Sequence, residues 1–441
     1  MFKRFLLLVL LVLSIPALHA QTVGYVLGFD GITVLNIPAN TVAATIPVDP
    51  NQFSLASVIV ASPDGARVYA LYEVPGTVLV IDAATNTPVT SVLVGVAPLG
   101  LAISPDGAHL YVADQINGVF IVDTATNTVE ATSIPVTGFP DSLAITPDGA
   151  HLYVGAQVGS VSIIDTASNT IVGSPIPIGC TPDAMVITPD GTKVYVGCDT
   201  PGQVVAINTA SNTVSATIPF DGIDFRLAVT PDGSHVYVSG LTSGSVGVLA
   251  TATNTLTTII PVGSSPTGIA VTPDGADVYV AVSDNSTASM IDTATNAVTA
   301  AGIPVASGPQ DLTIANLSTR FAAFTIDNLV INNNLHEQGD FTLGANTGGI
   351  DLAHQALTLT VNSFSLTIPA GSFRQVGGNM HFVFNGAVNG LGVNFNIKAV
   401  HGSSTQFTYV VDVHGANVTG PDPATVGLKI GHNTGTTTAE F

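Results

Sequence analysis

The sequence predicts an all-β protein, with a seven-bladed β-propeller over residues 21–315 and a β-sandwich-like domain over residues 316–441. Three observations predict this organisation: a tripeptide that recurs every 42 residues, four strand-like segments in each repeat, and two incomplete sets of strands at the ends of the array. A repeat of this period, with four strands per unit, is typical of a propeller blade.

The recurring tripeptide is Pro-Asp-Gly. It starts at Pro63, Pro105, Pro147, Pro189, Pro231 and Pro273. Around Pro147, the segments "DSLAIT", "HLYVGA", "SVSIID" and "TIVGSPIPI" are predicted to be four successive strands. Pro-Asp-Gly favours a type I turn between the first two strands, and Asn169 tolerates the positive φ of a turn between the last two. Each unit is therefore predicted to be a four-stranded antiparallel sheet.

The ends of the array predict how the ring closes. Residues 24–47 contain three strand-like segments without an innermost partner, whereas "QDLTIA" (310–315) is an innermost strand without the other three. An open array would leave unpaired strand edges, which proteins generally avoid. We therefore expect both chain ends to share one blade, which together with six internal blades gives seven.

The segment "SPDGAHLYVADQINGVFIVDTATNTVEATSIPV" (104–136) resembles the YVTN-type β-propeller repeat of bacterial and archaeal surface proteins. The resemblance covers about residues 24–315. It departs at the name-giving motif, because Ala-Asp, Gly-Ala, Gly-Cys or Ser-Gly follows Tyr-Val where Thr-Asn is expected. The resemblance implies a propeller at a cell surface and, since the family has diverse activities, no particular chemistry.

After residue 316 the repeat stops and apolar and polar residues alternate, as in "FAAFTIDNLVI" and "LGVNFNIKAV". Alternation indicates strands with one buried face, and Asn389-Gly390 is a two-residue hairpin signal. We predict six or more antiparallel strands in a β-sandwich. The stretches "GDFTLGANTGGIDL", "LTIPAGSF" and "VGLKIGHNTGTTTAEF" resemble a β-module at the ends of secreted bacterial proteins, which suggests a stalk, spacer or attachment role.

The N-terminus predicts export. Residues 1–20, "MFKRFLLLVLLVLSIPALHA", have a basic start, a short apolar run and a small residue at the end, which is typical of a signal peptide. An uncut anchor is the alternative. No later segment approaches membrane length. Removing residues 1–20 leaves 7 Lys and Arg against 30 Asp and Glu, so nucleic acid is not expected as a partner. We expect a secreted, periplasmic or cell-surface protein.

The two cysteines, Cys180 and Cys198, flank the Pro189 turn nine residues on each side. In a hairpin centred on that turn they would lie opposite or nearly opposite each other. Export makes oxidation plausible, so we predict a disulfide; two buried free thiols are the alternative.

The repeats also indicate where a binding site would lie. The Pro-Asp-Gly and Thr-Asn-Thr turns are nearly invariant, whereas the loops on the opposite face differ in every copy. Repeat proteins place recognition in variable loops. Four charged residues fall at the start of innermost strands near the channel on that face: Asp141, Asp183, Arg226 and Asp311. Arg226 either orients a polar or anionic ligand or only neutralises the neighbouring carboxylates.

Other chemistry is not predicted. His109, His151 and His235 share one repeat position, but they belong to separate blades and we interpret them as solvated turn residues. The segment "LHEQGD" (335–340) lacks the second histidine of the zinc-protease motif. Because Trp is absent and no Cys pair precedes a His, neither quinone nor haem is indicated. We expect no metal and no cofactor.

Two functions remain after these exclusions. The leading hypothesis is a non-enzymatic interaction or surface protein whose propeller binds a protein, a glycan or a small molecule. The alternative is a lactonase-type hydrolase acting at the channel mouth, where the general base would have to be an aspartate. An electron-transfer accessory module is a weaker third hypothesis.

Overall fold

The computed structural model describes residues 22–37, 39–49, 51–130 and 133–317, together with ten strands between residues 321 and 439. Residues 1–20, on which the signal peptide is predicted, and Asn389-Gly390 lie outside the described residues. The described residues contain strands and turns without helices, and none of them forms a helix long and apolar enough to cross a membrane. The structure divides into two compact units, and the first of them comprises Thr22–Ser318.

This first unit is the propeller. Its strands in chain order are β1 (Thr22–Leu27), β2 (Gly31–Asn36), β3 (Thr41–Pro47), β4 (Ser54–Ala61), β5 (Arg67–Val74), β6 (Thr77–Asp82), β7 (Thr87–Leu93), β8 (Pro98–Ile103), β9 (His109–Asp114), β10 (Gly118–Asp123), β11 (Thr128–Val129), β12 (Pro140–Ile145), β13 (His151–Ala156), β14 (Ser160–Asp165), β15 (Thr170–Ile171), β16 (Ile176–Pro177), β17 (Pro182–Ile187), β18 (Lys193–Cys198), β19 (Gln203–Asn208), β20 (Thr213–Pro219), β21 (Phe225–Val229), β22 (His235–Gly240), β23 (Ser245–Ala250), β24 (Thr255–Pro261), β25 (Pro266–Val271), β26 (Asp277–Val282), β27 (Thr287–Asp292), β28 (Ala297–Pro304) and β29 (Asp311–Asn316).

These strands form seven antiparallel sheets, the blades. Blade 1 has the order β29-β1-β2-β3, blade 2 β4 to β7, blade 3 β8 to β11, blade 4 β12 to β15 with β16 also paired to β14, blade 5 β17 to β20, blade 6 β21 to β24, and blade 7 β25 to β28. In blade 1 the two chain ends pair directly, with Val23 opposite Ala315 and Leu27 opposite Asp311. The predicted seven blades and their closure are confirmed.

The middle strands of each blade are buried on both faces because blades stack against one another. In β18, for example, Val194, Val196 and Cys198 are fully buried and belong to one cluster with Tyr153 and Val161 of blade 4. Each such aliphatic side chain contributes about 1.5–3 kcal/mol when it leaves water. The repeat therefore stabilises a ring in which each core lies between two neighbouring blades.

A tyrosine in the middle strand also joins each of several blades to the next. The phenol of Tyr195 donates a hydrogen bond of 2.6 Å to Asn254 Oδ1, and Tyr279 donates in the same way to Asn40 and to the carbonyl of Ile37. These asparagines occupy the turn between the last two strands, with φ of 52° at Asn254 and 53° at Asn40. The positive φ predicted for this turn position is thus found at asparagines whose side chains also accept a hydrogen bond from the neighbouring blade.

The Pro-Asp-Gly turns are held by their own aspartates. In blade 6, Asp232 Oδ1 accepts hydrogen bonds from the Thr230 hydroxyl at 2.6 Å and from the Ser234 amide at 2.9 Å. These bonds lower the pKa of Asp232 to about 2. The aspartates are therefore turn residues, as the sequence predicts.

Blade 4 departs from the predicted pattern in its outermost strand. The segment expected as one strand, "TIVGSPIPI", forms two short pieces, β15 and β16. From Thr170 to Pro177 it has eight residues, one more than "TVSATIP" in blade 5, and Gly173 adopts a left-handed φ of 68° between the pieces. The extra residue breaks the ladder, and the glycine accommodates the break.

Cys180 and Cys198 are joined by a disulfide in the structure, with Cα atoms 5.7 Å apart. Cys198 pairs with Pro182, and a register shift between Pro182 and Ala184 brings Cys180 alongside. The cysteines are therefore nearly opposite each other because of a bulge at the start of β17.

The C-terminal strands are β30 (Phe321–Ile331), β31 (Asn334–Leu343), β32 (Leu357–Val361), β33 (Phe364–Ile368), β34 (Arg374–Gln375), β35 (His381–Val388), β36 (Leu391–Ala399), β37 (Gln406–His414), β38 (Ala424–Ile430) and β39 (Asn433–Ala439). They form two antiparallel sheets, β30-β31-β37-β36-β35-β34 and β33-β32-β38-β39. Alternate residues of β36 and β37, such as Phe395 and Val411, are buried. Two antiparallel sheets, with alternate burial on β36 and β37, agree with the predicted sandwich.

Candidate functional site

The propeller has two different faces. The turn face consists of the Pro-Asp-Gly and Thr-Asn-Thr turns and their equivalents. The variable face consists of the loops after the second strand and before the innermost strand of each blade, with the strand ends beside them. The loops after the second strand are residues 28–30, 75–76, 115–117, 157–159, 199–202, 241–244 and 283–286. The loops before the innermost strand are residues 48–49 with 51–53, 94–97, 135–139, 178–181, 220–224, 262–265 and 305–310.

A cavity of about 710 Å³ opens on the variable face over the channel. It is lined by the innermost strands and by loop residues from several blades. All four charged residues predicted from the sequence, Asp141, Asp183, Arg226 and Asp311, line it. The structure thus places these four side chains around one cavity, which we call the acidic cavity.

Arg226 lies beside Asp183, with Nη1 3.5 Å from Asp183 Oδ2. Nη1 also donates a hydrogen bond of 2.9 Å to the carbonyl of Phe225. The Nε atom of Arg226 and Oδ2 of Asp183 are buried and make no hydrogen bond to the described residues. Arg226 therefore neutralises a neighbouring carboxylate, and both groups retain unused hydrogen-bonding capacity.

The other two predicted carboxylates accept hydrogen bonds from neighbouring residues. Asp141 Oδ2 accepts a hydrogen bond of 3.0 Å from Gln157 Nε2, which comes from the variable loop of the same blade. Asp311, only 7% exposed, accepts a 3.0 Å hydrogen bond from the Ile59 amide of blade 2. Asp311 therefore links the closing blade to its neighbour while it lines the cavity.

Three further carboxylates, Glu73, Asp199 and Asp224, also line the acidic cavity and were not singled out from the sequence. Glu73 and Asp199 both lie ten residues after the turn proline of their repeat, a position where the other copies differ. This shared repeat position is the sequence signal by which Glu73 and Asp199 could have been found. Asp224 precedes β21 in a left-handed conformation with φ 50°, and its amide donates a 2.8 Å hydrogen bond to Asp199 Oδ1.

The cavity has a large excess of acidic groups. Six carboxylates line it, and Arg226 is the one basic residue among the described residues that do so. Burial raises the pKa of Asp183 to about 7, an increase that Arg226 partly offsets. Burial likewise raises the pKa of Asp141 and of Asp311 to about 6. Ionising these groups is costly because they are desolvated, and Asp141 and Asp183 also lie near other carboxylates.

The pKa of Arg226 is raised as well, which for a base favours the charged form. Burial by itself would lower its pKa, but the carboxylates around it, Asp183 foremost, outweigh this and raise the pKa. The guanidinium is therefore charged at any ordinary pH.

Asp183, Asp199 and Asp224 could hold a metal ion, since each offers one carboxylate oxygen and these oxygens lie within 4.8 Å of one another. Clusters of acidic groups are common in proteins without a bound ion. The expectation from the sequence that the protein binds no metal therefore stays a prediction. The histidines do not form such a group: His109 Nε2 lies 3.6 Å from Glu130 of its own blade, and His151 and His235 begin separate blades' second strands.

No protein-family model matches the chain, and no curated protein is significantly similar to it in sequence. Solved structures are similar in fold. Kuenenia stuttgartiensis hydrazine synthase is 24% identical, with a TM-score of 0.54 over 60% of this chain and 90% of that one. A proposed 6-phosphogluconolactonase of Bacteroides uniformis is 18% identical, with a TM-score of 0.56 over 67% and 100%. Dihydro-heme d1 dehydrogenase NirN is 13% identical, with a TM-score of 0.51 over 74% and 71%. These likenesses identify the fold as a β-propeller that is shared by proteins of different function.

Proposed function

We propose that the protein is an exported, non-enzymatic interaction protein, whose propeller presents the acidic cavity as its binding site. The observation that carries this proposal is that the cavity is built from residues that differ between copies of the repeat. At the position of Glu73 and Asp199, the other copies have Gln115, Gln157, Leu241 and Ser283. A repeat selected only for folding has no reason to vary there while its turns stay constant.

The four residues predicted from the sequence have distinct roles in this proposal. Asp141, Asp183 and Asp311 supply carboxylate oxygens to a polar or cationic ligand. Arg226 holds the Asp183 carboxylate and has a free Nε–H for a ligand atom. A polar cavity of this size suits recognition of one group inserted from solvent.

Export and surface location are part of the proposal. The signal-like residues 1–20, the disulfide and the resemblance to YVTN-type surface proteins support them. In this proposal the C-terminal strands serve as a stalk or an attachment module. The excess of acidic over basic residues repels polyanions, so nucleic acid is not a proposed partner.

A lactonase-type hydrolase is the second candidate, favoured by one observation: the pKa of Asp183 is raised to about 7, in the range of a general base. The cavity charge argues against a phosphorylated or acidic lactone, because several carboxylates would repel it. A neutral lactone is the substrate class that this alternative leaves.

Hydrolysis of neutral and acidic sugar lactones by the purified protein, with and without a divalent metal, separates the two candidates. We expect that any hydrolysis measured with the parent is the same with Asp183→Asn. Turnover by the parent that Asp183→Asn abolishes would replace the binding function with the hydrolase.

A further inference from the structure

Large apolar side chains are exposed on the variable face, at loops and strand ends of four consecutive blades. They are Phe29, Leu55, Val74, Leu93, Val96, Ile116, Phe139 and Val158, each between 50% and 70% exposed. We call this set the apolar arc. The turn face, in the part of the chain that the structure describes, has no large apolar side chain exposed to this extent. Exposed apolar side chains that are grouped in this way are typical of interaction sites.

Folding does not account for the arc. Phe139 and Leu55 adopt left-handed conformations, with φ of 64° and 55°. This conformation is unfavourable for bulky residues and costs about 1–3 kcal/mol each. Both side chains are more than half exposed, so their burial in the folded protein offsets only part of this cost. Their placement is explained if a partner covers them.

The charge beside the arc indicates what kind of partner fits. The arc spans blades 1 to 4. Four of the six cavity carboxylates belong to blades 4 to 6, and the other two, Glu73 and Asp311, belong to blades 2 and 1. The apolar side chains of the arc therefore lie on the same face as a cavity whose carboxylates come from both parts of the ring. A cationic group in the acidic cavity would compensate charge that Arg226 leaves uncompensated.

Resting on the proposed function, we propose that the variable face docks a segment of a partner protein that inserts a lysine or arginine side chain into the acidic cavity and lays apolar side chains on the arc. The charge excess of the cavity selects the basic residue, and the exposed arc selects its apolar neighbours. A lone small amine or metal ion would satisfy the cavity and leave the arc uncovered.

Proton release is expected to accompany docking. The pKa of Asp183, about 7, and of Asp141, about 6, mean that these carboxyls are partly protonated near neutral pH. The groups that face Asp183 are Arg226, Asp141, Asp199 and Asp224. A cation among them favours the ionised forms, so affinity should rise with pH between about 5 and 7.5.

The test is selection of a random peptide library on the purified mature protein, followed by affinity measurements on synthetic copies of the selected peptides. An arc variant carries Ile116→Ser with Phe139→Ser, and a cavity variant carries Asp199→Asn with Asp224→Asn. The control carries Val214→Ser with Ile259→Ser, two exposed residues of the outermost strands β20 and β24. Spermidine and Ca²⁺ are titrated as small cations.

We expect selected peptides to contain Lys or Arg next to apolar residues, to lose at least tenfold in affinity for the arc and cavity variants, and to bind the control as they bind the parent. Selected peptides without a basic residue, whose binding depends on the arc and not on the cavity, would overturn this inference and leave the proposed function standing. Spermidine or Ca²⁺ binding as tightly as any peptide, without dependence on the arc, would also overturn it. If no selected peptide binds in a way that the arc variant or the cavity variant weakens, the proposed function is overturned as well.

Discussion

Replacing Asp183 by Asn should flatten the pH dependence of stability. Burial raises the pKa of Asp183 from 3.8 to about 7 in the folded protein. The folded state therefore holds this proton more tightly than the unfolded chain, so the free energy of unfolding falls as pH rises from about 4 to about 7. With 1.36 kcal/mol per pKa unit, this one group accounts for a fall of about 2 to 3 kcal/mol between pH 5 and pH 8.

Asparagine has nearly the same shape and no charge, so Asp183→Asn should remove that fall. Arg226 is charged at both pH values, and its attraction to the ionised Asp183 carboxylate is already contained in the pKa of about 7, so it adds no separate pH dependence. Urea unfolding of the parent and the variant at pH 5 and pH 8 measures the effect.

The matched control is Asp190→Asn in the turn of the same blade. A hydrogen bond from Thr188 lowers the pKa of Asp190, so its contribution to stability is lost only as pH falls below about 4. It should leave the difference between pH 5 and pH 8 unchanged. If Asp183→Asn retains the pH dependence of the parent, Asp183 is ionised in the folded protein at pH 5 and the reasoning fails.

Three further predictions concern the ring and its channel. Thiol titration of the denatured, unreduced protein should find no free thiol, and replacing Cys180 and Cys198 by Ser should lower the free energy of unfolding by about 3 kcal/mol; two free thiols would refute the disulfide. Tyr279→Phe should lower it by about 1 kcal/mol in urea unfolding, because the variant loses the hydrogen bonds that join blade 7 to Ile37 and Asn40 of blade 1; an unchanged midpoint would show that these bonds contribute nothing. Arg226→Ala should destabilise more at pH 8 than at pH 5, because the buried carboxylates lose their counter-charge when they are ionised; an equal effect at both pH values would show that Arg226 acts by packing alone.

The sequence predicts the propeller well because the repeat encodes it at every level. The 42-residue spacing, the turn prolines and the two incomplete ends determine the number of blades and the pairing of β1 with β29. The Tyr195–Asn254 bond was not predicted, because its partners lie 59 residues apart and belong to different repeats. Contacts between repeats become visible only when the stacking of the blades is known.

The site was predicted in part. Asp141, Asp183, Arg226 and Asp311 could be found because innermost strands converge on the channel. The placement of Asp224 depends on a left-handed φ in a loop that varies between copies, and no repeat signal specifies it. The raised pKa values are equally inaccessible from sequence, because they result from burial and from carboxylates of several blades.

Hydrogen exchange of the mature protein, with and without a saturating peptide from the library selection, tests the central claim most directly. We predict that protection appears in the variable-face segments 115–117, 137–141, 157–159 and 199–202 and is absent from the Pro-Asp-Gly turns. Protection confined to the turn face or to the C-terminal strands, with the variable-face segments unchanged, would contradict the claim that the variable face is the binding surface.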